Sequence, residues 1–233
     1  MILAALYFSA TVFSSAYALT LDPEEFVCPV DGKKFMAEVV GSSAQFSIRL
    51  DLKPMGAVAA PAPRPVCPVS GFVMTKDTYT TKETAAIRKL VSSPEFIKER
   101  AKYNDYYMAA FQLARLGGPV LLQAWFFHEA GWKAEDASPP DATYLNHYRE
   151  LSLQHFKNFF DSTNSKANLE WWDAQIVAAN LERKLGRFDN AIKRIDNLPI
   201  TKHKPSAQVK QFIKQTRQHA IKKNNGVVEF QAQ

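Results

Sequence analysis

Two short phrases built around the two cysteines of the sequence carry its clearest chemistry. Residues 28–32 read CPVDG and residues 67–71 read CPVSG. Each has the outline of a zinc knuckle, in which a Cys-x-x-Cys-Gly turn supplies two thiolates and the glycine adopts a positive φ. The second ligand position is occupied by Asp31 or Ser70. Because a serine hydroxyl binds zinc poorly near neutral pH, these two positions are interpreted as vestigial metal ligands.

The phrases, together with a third one further along the chain, resemble the bacterial domain-of-unknown-function 2225 family. The resemblance rests on CPVDGKKF at 28–35, VCPVSGF at 66–72 and LERKLGRFDNA at 181–191. It covers roughly residues 24–198 and implies an N-terminal four-cysteine zinc ribbon followed by a tetratricopeptide-like helical region. It carries over no catalytic residue. Since Asp31 and Ser70 depart from the family pattern, zinc is not expected and no cofactor is predicted.

The ribbon geometry implied by this resemblance would bring Cys28 close to Cys67. In an oxidising compartment, a disulfide would then replace the metal, and closing the loop between the two cysteines would stabilise the fold by roughly 4 kcal/mol. Two free thiols are the first alternative, and bound zinc is the second. Redox catalysis is not expected, because neither cysteine belongs to a Cys-x-x-Cys pair or lies beside an evident cation.

Histidines offer the other candidate chemistry. His147 and His155 are about two helical turns apart and would share one face, where a metal site or an acid-base pair could form. With Glu150 nearby, this gives an alternative function as a cell-envelope hydrolase or transferase using His147 and Glu150. Histidines at the surface or the core edge are the simpler interpretation. The His128-Glu129 pair does not complete a His-Glu-x-x-His zinc motif, because Trp132 occupies the position of the second histidine.

Composition and the first residues bear on compartment and protein class. The chain has 233 residues and is 46% hydrophobic, so it can bury a sizeable core, while two cysteines exclude a disulfide-rich miniprotein. Residues 2–18 carry no charge and end in Ala16-Tyr17-Ala18, a small-x-small pattern that signal peptidase accepts. We therefore predict a signal peptide over 1–18 and a periplasmic or secreted protein. A buried helix or a membrane anchor is the alternative for this segment.

Hydrophobic periodicity divides the rest of the chain into three parts. Residues 19–80 are predicted to form a small β-rich zinc-ribbon-like subdomain, with short strands at 34–40 and 44–51. Four prolines within 54–65 predict an irregular loop that returns to the second knuckle. Residues 81–200 have the period of helices, and residues 201–233 form a basic C-terminal helix and tail.

The helical part is predicted to be a tetratricopeptide-like α-solenoid of two to three helix pairs. Helices are expected from Pro94 to Gly117, from Pro119 to Gly131, around 144–159, and from Leu169 to Gly186. Gly186 would take the left-handed conformation and reverse the chain into a further helix at Phe188. The fold class is therefore mainly α with a small β-rich subdomain.

Solenoids of this kind bind other proteins through side chains on rigid helices. The predicted function is accordingly an exported, non-enzymatic protein- or peptide-binding scaffold. Its candidate partner-binding residues are Tyr103, Tyr106, Tyr107, Trp171 and Arg183.

Charge gives a second alternative function. The net charge is +6, and residues 193–223 contain nine basic residues against one acidic residue, Asp196, which gives 9 − 1 = +8. This basic C-terminus is predicted to be the solvated face of a helix. It could instead bind anionic lipid at a membrane surface or nucleic acid, of which nucleic acid is the less expected.

Overall fold

The computed structural model describes residues 18–162 and 168–232, so the predicted signal peptide lies outside the described residues apart from Ala18. Over these residues, four strands precede nine helices. The strands are β1 (Thr20–Val27), β2 (Lys34–Ser42), β3 (Ala44–Ile48) and β4 (Pro54–Ala57). The helices are α1 (Thr81–Val91), α2 (Pro94–Arg100), α3 (Asp105–Arg115), α4 (Val120–Asp136), α5 (Ala142–Ser162), α6 (Leu169–Lys184), α7 (Phe188–Asp196), α8 (Ile200–His203) and α9 (Ala207–Ile221). The prediction of a mainly α protein with a small β-rich part is confirmed.

The strands form two separate antiparallel pairs. β1 pairs with β2, placing Phe26 opposite Phe35, and β3 pairs with β4. The prediction of an irregular loop over 54–65 is therefore wrong at its beginning. Pro54 is tolerated because it starts a strand in a two-stranded sheet, where few backbone donors are required. Gly56 brings the strands together, since a Cβ there would lie 2.6 Å from the carbonyl oxygen of Ala44.

Two helix boundaries differ from the sequence prediction. The helix expected from Pro94 to Gly117 is divided into α2 and α3, because Asn104 caps a new helix by accepting a hydrogen bond from the N–H of Tyr107 at 3.0 Å. The end predicted at Gly131 is wrong, since α4 continues to Asp136. Gly131 instead lies against α5, where an added Cβ would be 4.0 Å from side-chain atoms of Tyr148.

The chain reversal predicted at Gly186 is confirmed. Gly186 has a φ of +74°, and its N–H donates to the carbonyl of Arg183 at 3.0 Å. The N–H of Arg187 donates to the carbonyl of Glu182 at 2.8 Å, which completes the two-bond motif that commonly ends a helix. Helix α7 then packs back against α6.

The core continues through the helices in chain order. One cluster surrounds the two cysteines, a second lies among α2 to α5, a third joins α4, α5 and α6, and the last joins α6, α7 and α9 with Leu50. The C-terminal residues also meet β3, because the N–H of Phe230 donates to the carbonyl of Ile48 at 2.8 Å. The C-terminal helix and tail predicted at 201–233 thus share a core with the preceding helices.

Candidate functional site

The two knuckles have the same backbone hydrogen bonds. In each, the glycine N–H donates to the cysteine carbonyl at 2.8 Å, and the cysteine N–H donates to the carbonyl of the residue after the glycine at 2.9 Å. Gly32 and Gly71 have φ values of +74° and +69°, a region that residues with a Cβ rarely adopt. The two phrases therefore form the same turn.

Cys28 and Cys67 form a disulfide, with their Cα atoms 5.5 Å apart. Both are buried and pack against Phe72, Met74 and Ile87. The predicted disulfide is confirmed. Since Ile87 belongs to α1, the disulfide joins the two knuckles at a point that also contacts the helical part.

The zinc implied by the family resemblance does not fit these residues. The two thiols are bonded to each other, Asp31 Oδ1 accepts the N–H of Lys33 at 3.1 Å, and Ser70 Oγ accepts the N–H of Phe72 at 3.3 Å. The described residues contain no group of three or more His, Cys, Asp or Glu side chains that could hold a metal ion. At both positions, the side-chain oxygen stabilises the turn instead.

Next to the second knuckle lies an apolar groove of about 620 Å³. Its walls come from the 72–79 segment, α1, the end of α3 and the start of α4. The lining side chains that matter below are Phe72, Tyr79, Ala86, Leu113, Leu116 and Leu122. We call this feature the apolar groove.

Three local interactions hold the walls of the apolar groove. Tyr79 packs edge-on against Phe72 with ring centroids 5.6 Å apart, and its hydroxyl accepts the N–H of Thr75 at 3.0 Å. Gln112 of α3 is buried and pairs its amide with both backbone groups of Val73, accepting that residue's N–H at 3.2 Å. These contacts tie the 72–79 segment to α3, so the groove is formed by tertiary structure already in place.

The mouth of the groove carries two lysines and one glutamate. Lys76 pairs with Glu83 at 2.6 Å and lies 5.0 Å from the centre of the Tyr79 ring. The hydrogen bond from Lys76, together with those from Thr80, lowers the pKa of Glu83 to about 2. Lys82 forms no ion pair with any residue of the two described ranges, 18–162 and 168–232. The mouth is therefore cationic around an apolar interior.

Four of the five predicted partner-binding residues are not available at the surface. Tyr106, Tyr107, Trp171 and Arg183 are at most 9% exposed, so their prediction as surface residues is wrong. The tyrosines face α4 and its phenylalanines, as in the edge-on contact of Tyr107 with Phe127. Tyr103 is half-buried and stacks on Tyr107 with ring centroids 3.9 Å apart.

Trp171 and Arg183 have equally specific roles inside the fold. Trp171, predicted to bind a partner, packs edge-on against Trp172 with ring centroids 5.0 Å apart. Arg183 donates to the carbonyls of Asn224 and Gly226 at 2.6 and 2.9 Å. It therefore holds the segment after α9 onto α6 from within the core.

The candidate acid-base residues are not arranged as a pair. The Glu150 carboxylate accepts hydrogen bonds from Arg187, one of them at 2.9 Å. His147 is exposed and stacks on Tyr103 at 5.6 Å between ring centroids, and His155 contacts Phe127 at 5.0 Å. Burial lowers the pKa of His155. Both histidines are thus seated against aromatic rings, and Glu150 is engaged elsewhere.

A buried set of charges is the largest feature that sequence reasoning missed. Arg49 and Asp51, in the turn between β3 and β4, meet Glu135 of α4 and Lys184 of α6. The four ion-pair distances lie between 2.6 and 2.9 Å, and the side chains are at most 12% exposed. We call these four residues the ionic clasp. Two positive and two negative charges meet within these four residues, and Arg149 of α5 also pairs with Glu135 at 2.6 Å. The clasp can therefore hold the turn against the helices.

Electrostatics keep the clasp ionised. Burial alone would raise the pKa of Asp51, but Lys184 and Arg49 outweigh it and hold that pKa well below its usual range. Burial also favours a higher pKa for Glu135, but Lys184 and Arg49 outweigh it and lower that pKa to about 2. Burial lowers the pKa of His128 to about 4, and its Nε2–H donates to the Asp51 carbonyl at 2.8 Å. His128, for which the sequence excluded a His-Glu-x-x-His zinc site, therefore supports the clasp as a neutral ring.

Glu129, which the sequence offered only as part of an incomplete zinc motif, is a second group with an unexpected environment. Burial raises its pKa to about 7, while Arg64 acts in the opposite direction. Its Oε2 is buried without a hydrogen-bond partner among the described residues. The guanidinium of Arg64 lies 4.5 Å from the ring centre of Phe126 on the same helix. Glu129 can thus exchange a proton near neutral pH.

Comparison with known proteins adds no relative. The sequence matches no model of a known protein family, and no curated protein or solved structure is significantly similar to it. None of the helices formed by the described residues has both the length and the apolar character needed to cross a bilayer.

Proposed function

We propose that the protein is a non-enzymatic scaffold that binds a peptide segment of another protein in the apolar groove. The observation that carries this proposal is the groove itself, with a volume of about 620 Å³ and walls of aromatic and leucine side chains. Sites that hold a ligand are typically concave, largely apolar and about 300–1,000 Å³ in volume. This site differs from the partner-binding residues that the sequence predicts, which are Tyr103, Tyr106, Tyr107, Trp171 and Arg183.

The chemistry of the groove indicates which segment fits. Leu113, Leu116 and Leu122 offer an apolar lining that suits leucine or aromatic anchors. Lys82 and Lys76 lie at the mouth with Glu83, which leaves a net positive charge there. We therefore expect an acidic residue beside the apolar anchors of the bound segment.

The fixed walls favour binding of a short segment. Because Gln112 and Tyr79 already hold the 72–79 segment, a ligand would not have to order it on binding. The hydrolase or transferase alternative has less support, since the Glu150 carboxylate is engaged by Arg187.

The wider assignment rests on the disulfide. A buried disulfide is typical of proteins that work in oxidising compartments, which supports a periplasmic or secreted location. The matching hydrogen bonds of the two knuckles support descent from a metal-binding ribbon, as the resemblance to the domain-of-unknown-function 2225 family implies. The α6–α7 pair closed by Gly186 supports a tetratricopeptide-like unit in that part of the chain.

A random peptide library displayed on phage and panned against the oxidised protein tests the proposal. We expect enrichment of peptides with leucine or aromatic anchors next to Asp or Glu. Fluorescence polarisation of an enriched peptide should then show at least roughly tenfold weaker binding to Ala86→Trp, which fills the groove from an exposed helix position, and to Leu116→Glu.

The matched control is Ile97→Glu, which places a charge on an exposed apolar residue of α2 outside the groove lining. The control should bind as the parent protein does, and the circular dichroism of all three variants should be unchanged. A library that yields no enriched peptide, or an enriched peptide that binds Ala86→Trp and the parent equally, would contradict the proposal.

A further inference from the structure

The basic C-terminal region has more unpaired positive charge than its composition indicates. Its acidic residue, Asp196, is bonded to Arg217 at 2.7 Å, and Arg194 is bonded to Glu182 at 2.8 Å. Seven exposed lysines remain with no ion-pair partner among the described residues. They are Lys193, Lys202, Lys204, Lys210, Lys214, Lys222 and Lys223.

Helix α9 arranges part of this charge along its outer side. Its inner side buries Val209, Phe212, Ile213 and Ala220 against α6 and α7. With about 100° of rotation per residue, Lys210, Lys214 and Ile221 fall within about 40° of each other on the outer side. Lys222 and Lys223 follow directly at the end of the helix. We call these five residues the basic stripe.

Exposed apolar side chains lie within the basic stripe and shortly after it in the sequence. Ile221, which directly precedes the terminal lysine pair, is 54% exposed, and Val227, four residues after that pair, is 60% exposed. Lysines beside projecting aliphatic side chains are the combination that suits a bilayer interface, where the charges meet anionic headgroups and the aliphatic groups enter the outermost acyl region.

We propose that the basic stripe binds the surface of an anionic phospholipid bilayer. Charge complementarity favours this partner, and the absence of a stacking surface disfavours nucleic acid. On α9, the aromatic residue Phe212 is buried and stacks on Phe230 with ring centroids 3.9 Å apart, so neither ring face between them is free for a base. Lysine ammonium groups are point charges, which suits contact with a fluid array of headgroups. The site is separate from the apolar groove and does not depend on it.

Vesicle flotation of the full chain tests this inference. The probes are vesicles of phosphatidylcholine alone and vesicles in which phosphatidylglycerol replaces about a third of that lipid. We expect binding to the anionic vesicles that weakens with added salt. Lys210→Gln/Lys214→Gln should reduce partitioning about 30-fold, as expected for two lysines near an anionic surface. Ile221→Ser should reduce it less.

The matched control is Lys98→Gln/Lys102→Gln, which removes the same charge from two exposed lysines outside the basic stripe. It should leave partitioning within about twofold of the parent protein. Three results would overturn the inference: equal binding to both kinds of vesicle, equal losses in the two double variants, or binding to a single-stranded oligonucleotide while the anionic vesicles remain unbound.

Discussion

Two of the places where the β-rich part meets the helices use opposite physical means. At the knuckles, the Cys28–Cys67 disulfide is buried among apolar side chains, including Ile87 of α1. At the turn between β3 and β4, the ionic clasp buries four charges against α4 and α6. The first place is an apolar contact built around a covalent bond between the two knuckles. The second is built around ionised groups, with neutral support from His128 and the buried Leu50.

The two attachments should therefore differ in what they contribute. A disulfide stabilises mainly by restricting the unfolded chain, and its effect hardly depends on salt or on moderate changes of pH. A buried ion pair repays little more than its own desolvation, but leaving one partner alone is costly. We infer that the disulfide supplies stability and that the clasp determines where the turn docks.

The largest expected effect is loss of the disulfide. Cys28→Ser/Cys67→Ser should lower the free energy of unfolding by about 4 kcal/mol, because the bond closes a loop with a sequence separation of 39 residues. Urea unfolding followed by circular dichroism measures this loss. Reductant should bring the parent protein to the level of the variant and leave the variant unchanged. A loss below about 1 kcal/mol would mean that the knuckles are held without the bond.

Loss of one clasp residue should have the next largest effect. Lys184→Met leaves Asp51 and Glu135 with one fewer cation and should cost about 3 kcal/mol in the same urea experiment. The matched control is Lys34→Met, since Lys34 pairs with Glu25 at an exposed position and should cost less than about 1 kcal/mol. Equal losses in the two variants would remove the distinction between buried and exposed pairs.

A smaller effect is expected from Glu129, which contacts neither attachment. Its pKa is raised from 4.5 to about 7, so the folded state binds the proton more tightly than the unfolded state. Its contribution to stability is therefore present at low pH and is lost as the pH rises between about 4.5 and 7. His128 has the opposite effect on stability. Because its pKa is lowered from 6.5 to about 4, stability is gained as the pH rises through that range.

Glu129→Gln isolates this contribution. Relative to the parent protein, the variant should gain about 2 kcal/mol in unfolding free energy between pH 5 and pH 8. Urea unfolding at the two pH values measures the difference, which would not appear if Glu129 titrated normally. Asp51 and Glu135 have the opposite dependence on pH from Glu129. Because their pKa values are lowered in the folded state, the stability that the clasp contributes is lost as the pH falls below about 4.

The sequence predicted the features that short segments determine. The knuckles and the reversal at Gly186 depend on a few consecutive residues, and each is present. The sequence does not predict the ionic clasp, because Arg49, Glu135 and Lys184 are far apart in the chain. An isolated charged residue in a sequence is normally expected to be exposed to solvent. Tyr106 and Tyr107 were assigned to a surface because a stripe of tyrosines does not show which face of the helix is covered.

The apolar groove could not be predicted for a related reason. Its walls combine the 72–79 segment with the ends of α3 and α4, and the bonds of Gln112 to Val73 join that segment to α3 across a long stretch of sequence. No periodic pattern within one segment indicates such a contact.

Thiol titration of the unreduced, denatured protein tests most directly the central claim, that Cys28 and Cys67 form a disulfide. The metal content of the native protein is measured on the same preparation. The account predicts no reactive thiol before reduction, two after reduction, and no stoichiometric zinc. Two reactive thiols before reduction, or one zinc ion per chain, would contradict the assignment of Cys28 and Cys67 to a disulfide.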